Sequence, residues 1–205
     1  MKTIYLALLL ISYSLNSQAQ ERGQDKGTPN TQLIINNDTL NKSDENGKLQ
    51  GKWERTHADG SFKCKGVYKD GYKEGYWERK WPNGNWRYQI NMSDGYRNGN
   101  CKFFYQNRKL KSEGNYEMGK EEGLIVTYFE NGNKESEENF KNGILNGDCK
   151  YYDENTNLLR EGTFLENERD EIWNFYSQKI SKLNSQITIV EYDKGQVLST
   201  KISAY

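Results

Sequence analysis

The chain has 205 residues, of which 34% are apolar and 28% charged, and its mean hydropathy is −1.07. Twenty-nine basic residues balance twenty-nine acidic ones. A binder of nucleic acid, or a polybasic membrane-surface protein, needs a basic excess that this chain lacks. Low apolarity with high charge often marks disorder, but 15 Tyr, 7 Phe and 5 Trp with only 2 Pro argue for an ordered chain that is short of aliphatic residues.

Met1 to Ala19 has the features of a secretory signal peptide. Lys2 gives a positive start, Ile4 to Ile11 an apolar run, and Ser17-Gln18-Ala19 a small-x-small cleavage site. The run is shorter than the roughly 20 residues that span a bilayer. Export to the periplasm or the exterior is the expected localisation. Residues 20–46 are polar and are expected to be a linker with one short strand at Gln32 to Ile35.

Residues 47–176 hold a period of 24 residues without gaps. Gly51, Gly75, Gly99, Gly123 and Gly147 mark position zero of five copies. Position two holds Trp53, Trp77, Cys101, Ile125 and Cys149. Position eight holds Asp59, Asn83, Asn107, Asn131 and Asn155, followed by Gly60, Gly84, Arg108, Gly132 and Thr156. Position fifteen holds Gly66, Ile90, Gly114, Glu138 and Gly162. Position seventeen is Tyr68, Met92, Tyr116, Phe140 and Phe164, and position twenty is Gly71, Gly95, Gly119, Gly143 and Asn167.

Each copy is expected to be a β-hairpin turning at positions eight and nine, because Asp-Gly and Asn-Gly are strong two-residue turn signals. Positions that sum to seventeen then face each other. Glu54 faces Lys65, Lys102 faces Glu113 and Lys150 faces Glu161, the favourable cross-strand sign. Trp53 faces Gly66 and Cys101 faces Gly114, so a large side chain could lie over a strand glycine. His57 faces Phe62, Trp81 faces Trp86 and Tyr105 faces Leu110. One face collects most aromatics and glycines, at positions two, four, six, eleven, thirteen, fifteen and seventeen. The other is mainly Lys, Glu, Asn and Gln. On that polar face Phe104, Tyr128, Tyr152 and Tyr176, all at position five, form a candidate binding stripe. Residues 177–205 contain a last hairpin, Ile187 to Tyr192 with Val197 to Ile202, expected to cap the array. The fold class expected is all-β: an elongated, open antiparallel meander of about ten to twelve strands.

Gly75-Tyr76-Trp77-Glu78 with Asn83-Gly84, and Tyr128-Phe129-Glu130-Asn131-Gly132 followed by Phe140-Lys141-Asn142-Gly143, resemble the MORN repeat family, and more narrowly the variant repeat of bacterial YwqK-type antitoxin proteins. The resemblance implies a non-catalytic β-array used for protein or lipid contact.

The chemistry-bearing residues are few. Cys64, Cys101 and Cys149 would sit at least three strands apart, about 14 Å or more, too far for a disulfide that needs about 7 Å. Cys101 and Cys149 are expected to be small buried hydrophobes in the Trp column. His57 is the single histidine and cannot build a zinc cluster. No catalytic, cofactor-binding or metal-binding motif is present, so no enzyme and no cofactor is expected. The expected function is an exported scaffold that binds another protein or an envelope component. Glycan or cell-wall binding through aromatic rows is an alternative, and lipid binding a further one.

Overall fold

A computed structural model describes residues 33–35, 38–177 and 186–204. The expected signal peptide and most of the linker lie outside these residues. Strands β1 (Leu33–Ile35) and β2 (Asp38–Leu40) form a separate two-stranded pair. The rest form one sheet: β3 (Lys42–Ser43), β4 (Leu49–Thr56), β5 (Phe62–Lys69), β6 (Tyr72–Lys80), β7 (Trp86–Ser93), β8 (Tyr96–Phe104), β9 (Leu110–Glu117), β10 (Lys120–Tyr128), β11 (Lys134–Lys141), β12 (Ile144–Tyr152), β13 (Leu158–Leu165), β14 (Glu168–Tyr176), β15 (Gln186–Asp193) and β16 (Gln196–Ala204). Spatial order follows chain order throughout, and every neighbour is antiparallel. The all-β open meander is therefore as the repeat predicts. Its 14 strands exceed the ten to twelve expected, because β3 and the hairpin β15–β16 join the same sheet. The stretch expected to hold one short strand holds three, β1 to β3.

Two kinds of turn alternate along the sheet, and the two-residue turn is not where the sequence suggested. It lies at positions nineteen and twenty. Asp70-Gly71, Asp94-Gly95 and Asn142-Gly143 have φ of 53 and 84, 50 and 82, and 55 and 79, the double left-handed signature of a type I′ hairpin. At positions eight and nine the loop has three residues. His57 N–H donates to Ser61 C=O at 2.8 Å and Gly60 N–H to His57 C=O at 3.0 Å. There only the position-nine residue is left-handed, Gly60 at φ 83, as in a three-residue loop closed by a glycine bulge. The Asp or Asn before it serves as an acceptor instead. Asp59 Oδ1 takes the Ser61 N–H at 2.9 Å, and Asn83, Asn107 and Asn131 take the equivalent N–H at 3.1, 3.0 and 2.8 Å.

The ladder keeps the expected register away from this loop: Trp53 faces Gly66, Glu54 faces Lys65 and Cys101 faces Gly114. Next to the loop it shifts by one residue. Phe62 faces Thr56 rather than His57, Trp86 faces Lys80 rather than Trp81, and Leu110 faces Phe104 rather than Tyr105. The cause is the odd loop, followed by a bulge that leaves position twelve unpaired. It also moves position eleven to the polar face. There Lys65 and Lys80 lie 5.8 and 5.5 Å over the Phe62 ring, which meets Trp86 edge-on at 6.3 Å.

A second bulge sits between repeats. Lys65 faces Glu78 and Val67 faces Glu74, so Gly75, Tyr76 and Trp77 all oppose Gly66. Gly75 makes the kink at φ 66. As a result Gly66 is covered by Trp77 of the next strand and not by its ladder partner Trp53; Ile125 covers Gly114 and Trp173 covers Gly162 in the same way.

The core lies on one face of this single layer. Leu49, Trp53, Tyr68, Trp77, Ile90, Met92, Cys101, Tyr116 and Ile125 form a contiguous buried row, and Cys149, Trp173 and Val190 are buried further along. Trp53 and Trp77 flank Tyr68 edge-on at 5.4 and 4.9 Å, pairs worth about 0.5–1.5 kcal/mol beyond their burial. No second layer covers these rings among the described residues. Long basic side chains do so instead: Lys73 lies 5.0 Å over Trp77, Arg97 5.2 Å over Tyr116 and Arg169 4.9 Å over Trp173.

Candidate functional site

The stripe at position five stands on the polar face as part of a repeated bond pattern. Lys102 pairs with Glu113 at 3.1 Å, and the Tyr128 hydroxyl donates to the same carboxylate at 3.0 Å. Lys150 pairs with Glu161 at 3.2 Å, which accepts the Tyr176 hydroxyl at 2.7 Å. In the copy between them Val126 stands where a lysine is expected. There Lys134 supplies the cation to Glu137, which accepts from Tyr152 at 2.8 Å. Each tyrosine thus reaches back to the glutamate fifteen residues earlier. Phe104 has no hydroxyl and faces Leu110. All four rings are half-buried. The bonds favour the ionised form of Glu137 and Glu161. The Lys134 ammonium, then the Tyr152 hydroxyl, keeps Glu137 below the ordinary range, and the Tyr176 hydroxyl, then Lys150, does so for Glu161. Burial, then Glu137, pushes the Tyr152 phenol up to about 12. The first of the expected charge pairs, Glu54 with Lys65, is in register, yet Lys65 makes its ion pair with Glu78 on the far side at 3.0 Å.

The apolar face carries a feature that the sequence reading missed. Across its first repeats runs a groove of about 360 Å³ between Trp81, Tyr88 and Phe103, continued by a smaller one beside Trp53 and Trp77. Arginines and lysines line both, and no carboxylate does. They come from positions four, twelve and twenty-two, columns that begin to lose their basic residues in the third copy, with Phe103 and Glu121 in the third and Thr127, Glu135 and Leu145 in the fourth. Reading charge by column rather than by total would have exposed the asymmetry.

A polar cluster interrupts the buried row further on. Glu138, 8% exposed, occupies the glycine column. It accepts from the Tyr151 hydroxyl at 2.6 Å and from Ser136 Oγ at 3.1 Å, while Arg160 stacks 4.2 Å over the Tyr151 ring. Cys101 and Cys149 are buried in the Trp column, as expected, and Cys64 is half-buried; all three are free thiols. Burial pushes the Cys149 thiol up to about 12 and raises Cys101 too. His57 closes the first hairpin loop through its backbone. Among the described residues no group of His, Cys, Asp or Glu is placed to hold a metal ion.

No curated protein matches the chain. Residues 97–118 and 121–142 match the MORN repeat variant, a non-enzymatic repeat module of the kind that generally binds proteins or membranes.

Proposed function

We propose that the protein is an exported, non-catalytic scaffold that binds another protein or an envelope component. The observation that carries this reading is the unbroken strand order of the sheet. It brings equivalent repeat positions back every second strand, about 9.6 Å apart, over a surface far longer than one ligand pocket. Export rests on the Met1 to Ala19 pattern in the sequence. Kinship with the YwqK-type antitoxin proteins, suggested by the turn and glycine pattern, is a narrower form of the same reading, in which the bound protein is a toxin.

Glycan binding through the Trp column finds little support. Trp53, Trp77 and Trp173 are 3%, 3% and 0% exposed and have no face to offer a sugar. The test is crosslinking in intact cells followed by identification of partners and their compartment. Recovery of envelope proteins is expected. Recovery of cytosolic proteins alone would refute export, and recovery of glycan or lipid without protein would refute the scaffold.

A further inference from the structure

The groove on the apolar face is basic on every strand it crosses. Going along the sheet, β4 contributes Arg55, β5 Lys63, β6 Arg79, β7 Arg87, β8 Arg97 and β9 Lys111. Six consecutive strands at about 4.8 Å make a strip about 24 Å long. Among the described residues none of these six forms an ion pair with a carboxylate. Several are held by ring faces: Arg55 lies 5.6 Å over Trp53, Arg87 4.5 Å over Trp81, and Arg97 4.9 Å over Phe103. Arg79, shared by both parts of the groove, has a buried Nε without a hydrogen-bond partner. Ring faces orient a guanidinium without neutralising it; Arg79 and Arg97 also reach the Tyr88 and Tyr116 hydroxyls, neutral partners that leave the positive charge to attract an oxyanion. The strip ends where the sign reverses: Glu121 faces Tyr116 from β10, and Glu138 is buried on β11. A chain of zero net charge has therefore segregated its charge along one face.

We propose that this strip is a docking groove for a short acidic segment of a partner polypeptide, lying across β4 to β9. The inference rests on the scaffold reading and names the chemistry of its partner. Charge complementarity selects an anionic occupant. The alternation of cations with the rings of Trp81, Tyr88 and Phe103 selects one that carries apolar side chains beside its carboxylates, as a peptide does and a phosphate does not. The four central cations, Lys63, Arg79, Arg87 and Arg97, are half-buried, so a flat bilayer meets fewer of them than a single extended chain. At about 3.3 Å per residue, 24 Å accommodates about seven residues.

The test uses the full chain and a fluorescein-labelled peptide of alternating Glu and Leu, eight residues long, read by anisotropy and by Trp emission. The same peptide with Lys for Glu, inorganic phosphate, and vesicles with and without phosphatidylserine serve as comparators. Saturable binding of the Glu-Leu peptide is expected, at least tenfold tighter than the Lys-Leu peptide and weakened at least fivefold between 50 and 300 mM salt (roughly the behaviour of a few released counterions). Arg79→Gln, Arg87→Gln and Arg97→Gln together should weaken it at least tenfold. Arg87→Gln alone, on a half-exposed residue, should weaken it about threefold and keeps the test open if the triple variant misfolds. Lys102→Gln with Lys150→Gln on the opposite face should change it less than twofold. Equal binding of both peptides, insensitivity to the groove variants, or preferential binding of phosphatidylserine vesicles or phosphate would overturn the proposal. If the peptide fails while crosslinking still recovers protein partners, only the groove assignment falls; if no protein is recovered, the scaffold reading falls as well.

Discussion

Replacing Gly66 by alanine tests the claim that the sheet packs by laying a ring over a glycine in the neighbouring strand. Gly66 does not have a positive φ, so by backbone criteria alone Gly66→Ala should stabilise the protein by about 0.4–1 kcal/mol through the unfolded chain. Packing predicts the opposite sign. A Cβ at Gly66 falls inside the Trp77 indole, 2.7 Å from Cγ and nearer still to Cδ2 and Cε2. Restoring ordinary carbon contact of about 3.5 Å requires the ring to retreat by about 1 Å. That ring is fixed on three sides. Tyr68 meets it at 4.9 Å, Lys73 covers it at 5.0 Å, and its Nε1–H donates to Val67 C=O at 3.1 Å. Overpacking costs about 1–3 kcal/mol and loss of the indole hydrogen bond about 0.5–1.5. Less the chain-entropy gain, Gly66→Ala should destabilise by about 1–4 kcal/mol. Urea unfolding followed by circular dichroism measures the total. Because a repeat array can open locally, hydrogen exchange over β5 and β6 shows where the loss falls. In a Trp77→Ala background the same substitution should be neutral or stabilising. A Gly66→Ala protein as stable as its parent would refute the ring-over-glycine account.

Thr156→Gly should stabilise by about 1 kcal/mol in the same urea assay, since a β-branched residue at φ 71 is strained where four of the five copies have Gly or Arg; an unchanged midpoint would deny that strain. Tyr176→Phe removes the largest influence holding Glu161 low, so the Glu161 carboxyl should titrate closer to its ordinary range by NMR. Glu137 and Glu161 both have depressed folded-state values, so their contribution to stability is present above the unfolded carboxylate range and is lost as pH falls through the folded values. Acid titration should therefore show a loss of stability beginning near pH 4.5 and continuing below it, and Tyr176→Phe should flatten that loss. At pH 8 a thiol reagent should modify Cys64 rapidly in the native protein and Cys101 and Cys149 only on unfolding, because both are buried and their thiols are raised. Rapid modification of all three would contradict the buried column.

The positions of the two turn types show where sequence patterns reach their limit. In the first, second and fourth copies Asp-Gly or Asn-Gly occurs twice, at positions eight and nine and at nineteen and twenty. The dipeptide alone does not reveal whether its first residue turns left-handed, as Asp70 does at φ 53, or stays right of that region and accepts a hydrogen bond, as Asp59 does. The difference shifts the ladder beside each loop and moves Phe62 and Trp86 to the other face. The Tyr–Glu ladder was half legible. Each tyrosine and each glutamate falls in its own column, but their meeting across a repeat boundary depends on the bulge at Gly75 and its equivalents. The basic groove was not visible in the total charge, because the twenty-nine carboxylates of the chain cancel its cations in the sum while, among the described residues, none of them lines the groove.

The sequence by itself determined the period, the strand count within each repeat, the open antiparallel order and the buried Trp–Cys–Ile column. Each of these follows from local chemistry repeated at a fixed interval, and in such an array neighbours in sequence are neighbours in space. Only the tertiary structure decided which ring covers which glycine, which hydroxyl meets which carboxylate, and that the cations of β4 to β9 converge on one groove. Those outcomes depend on bulges that insert one or two residues between strands, and an insertion of that size changes the face and the partner of every side chain beside it.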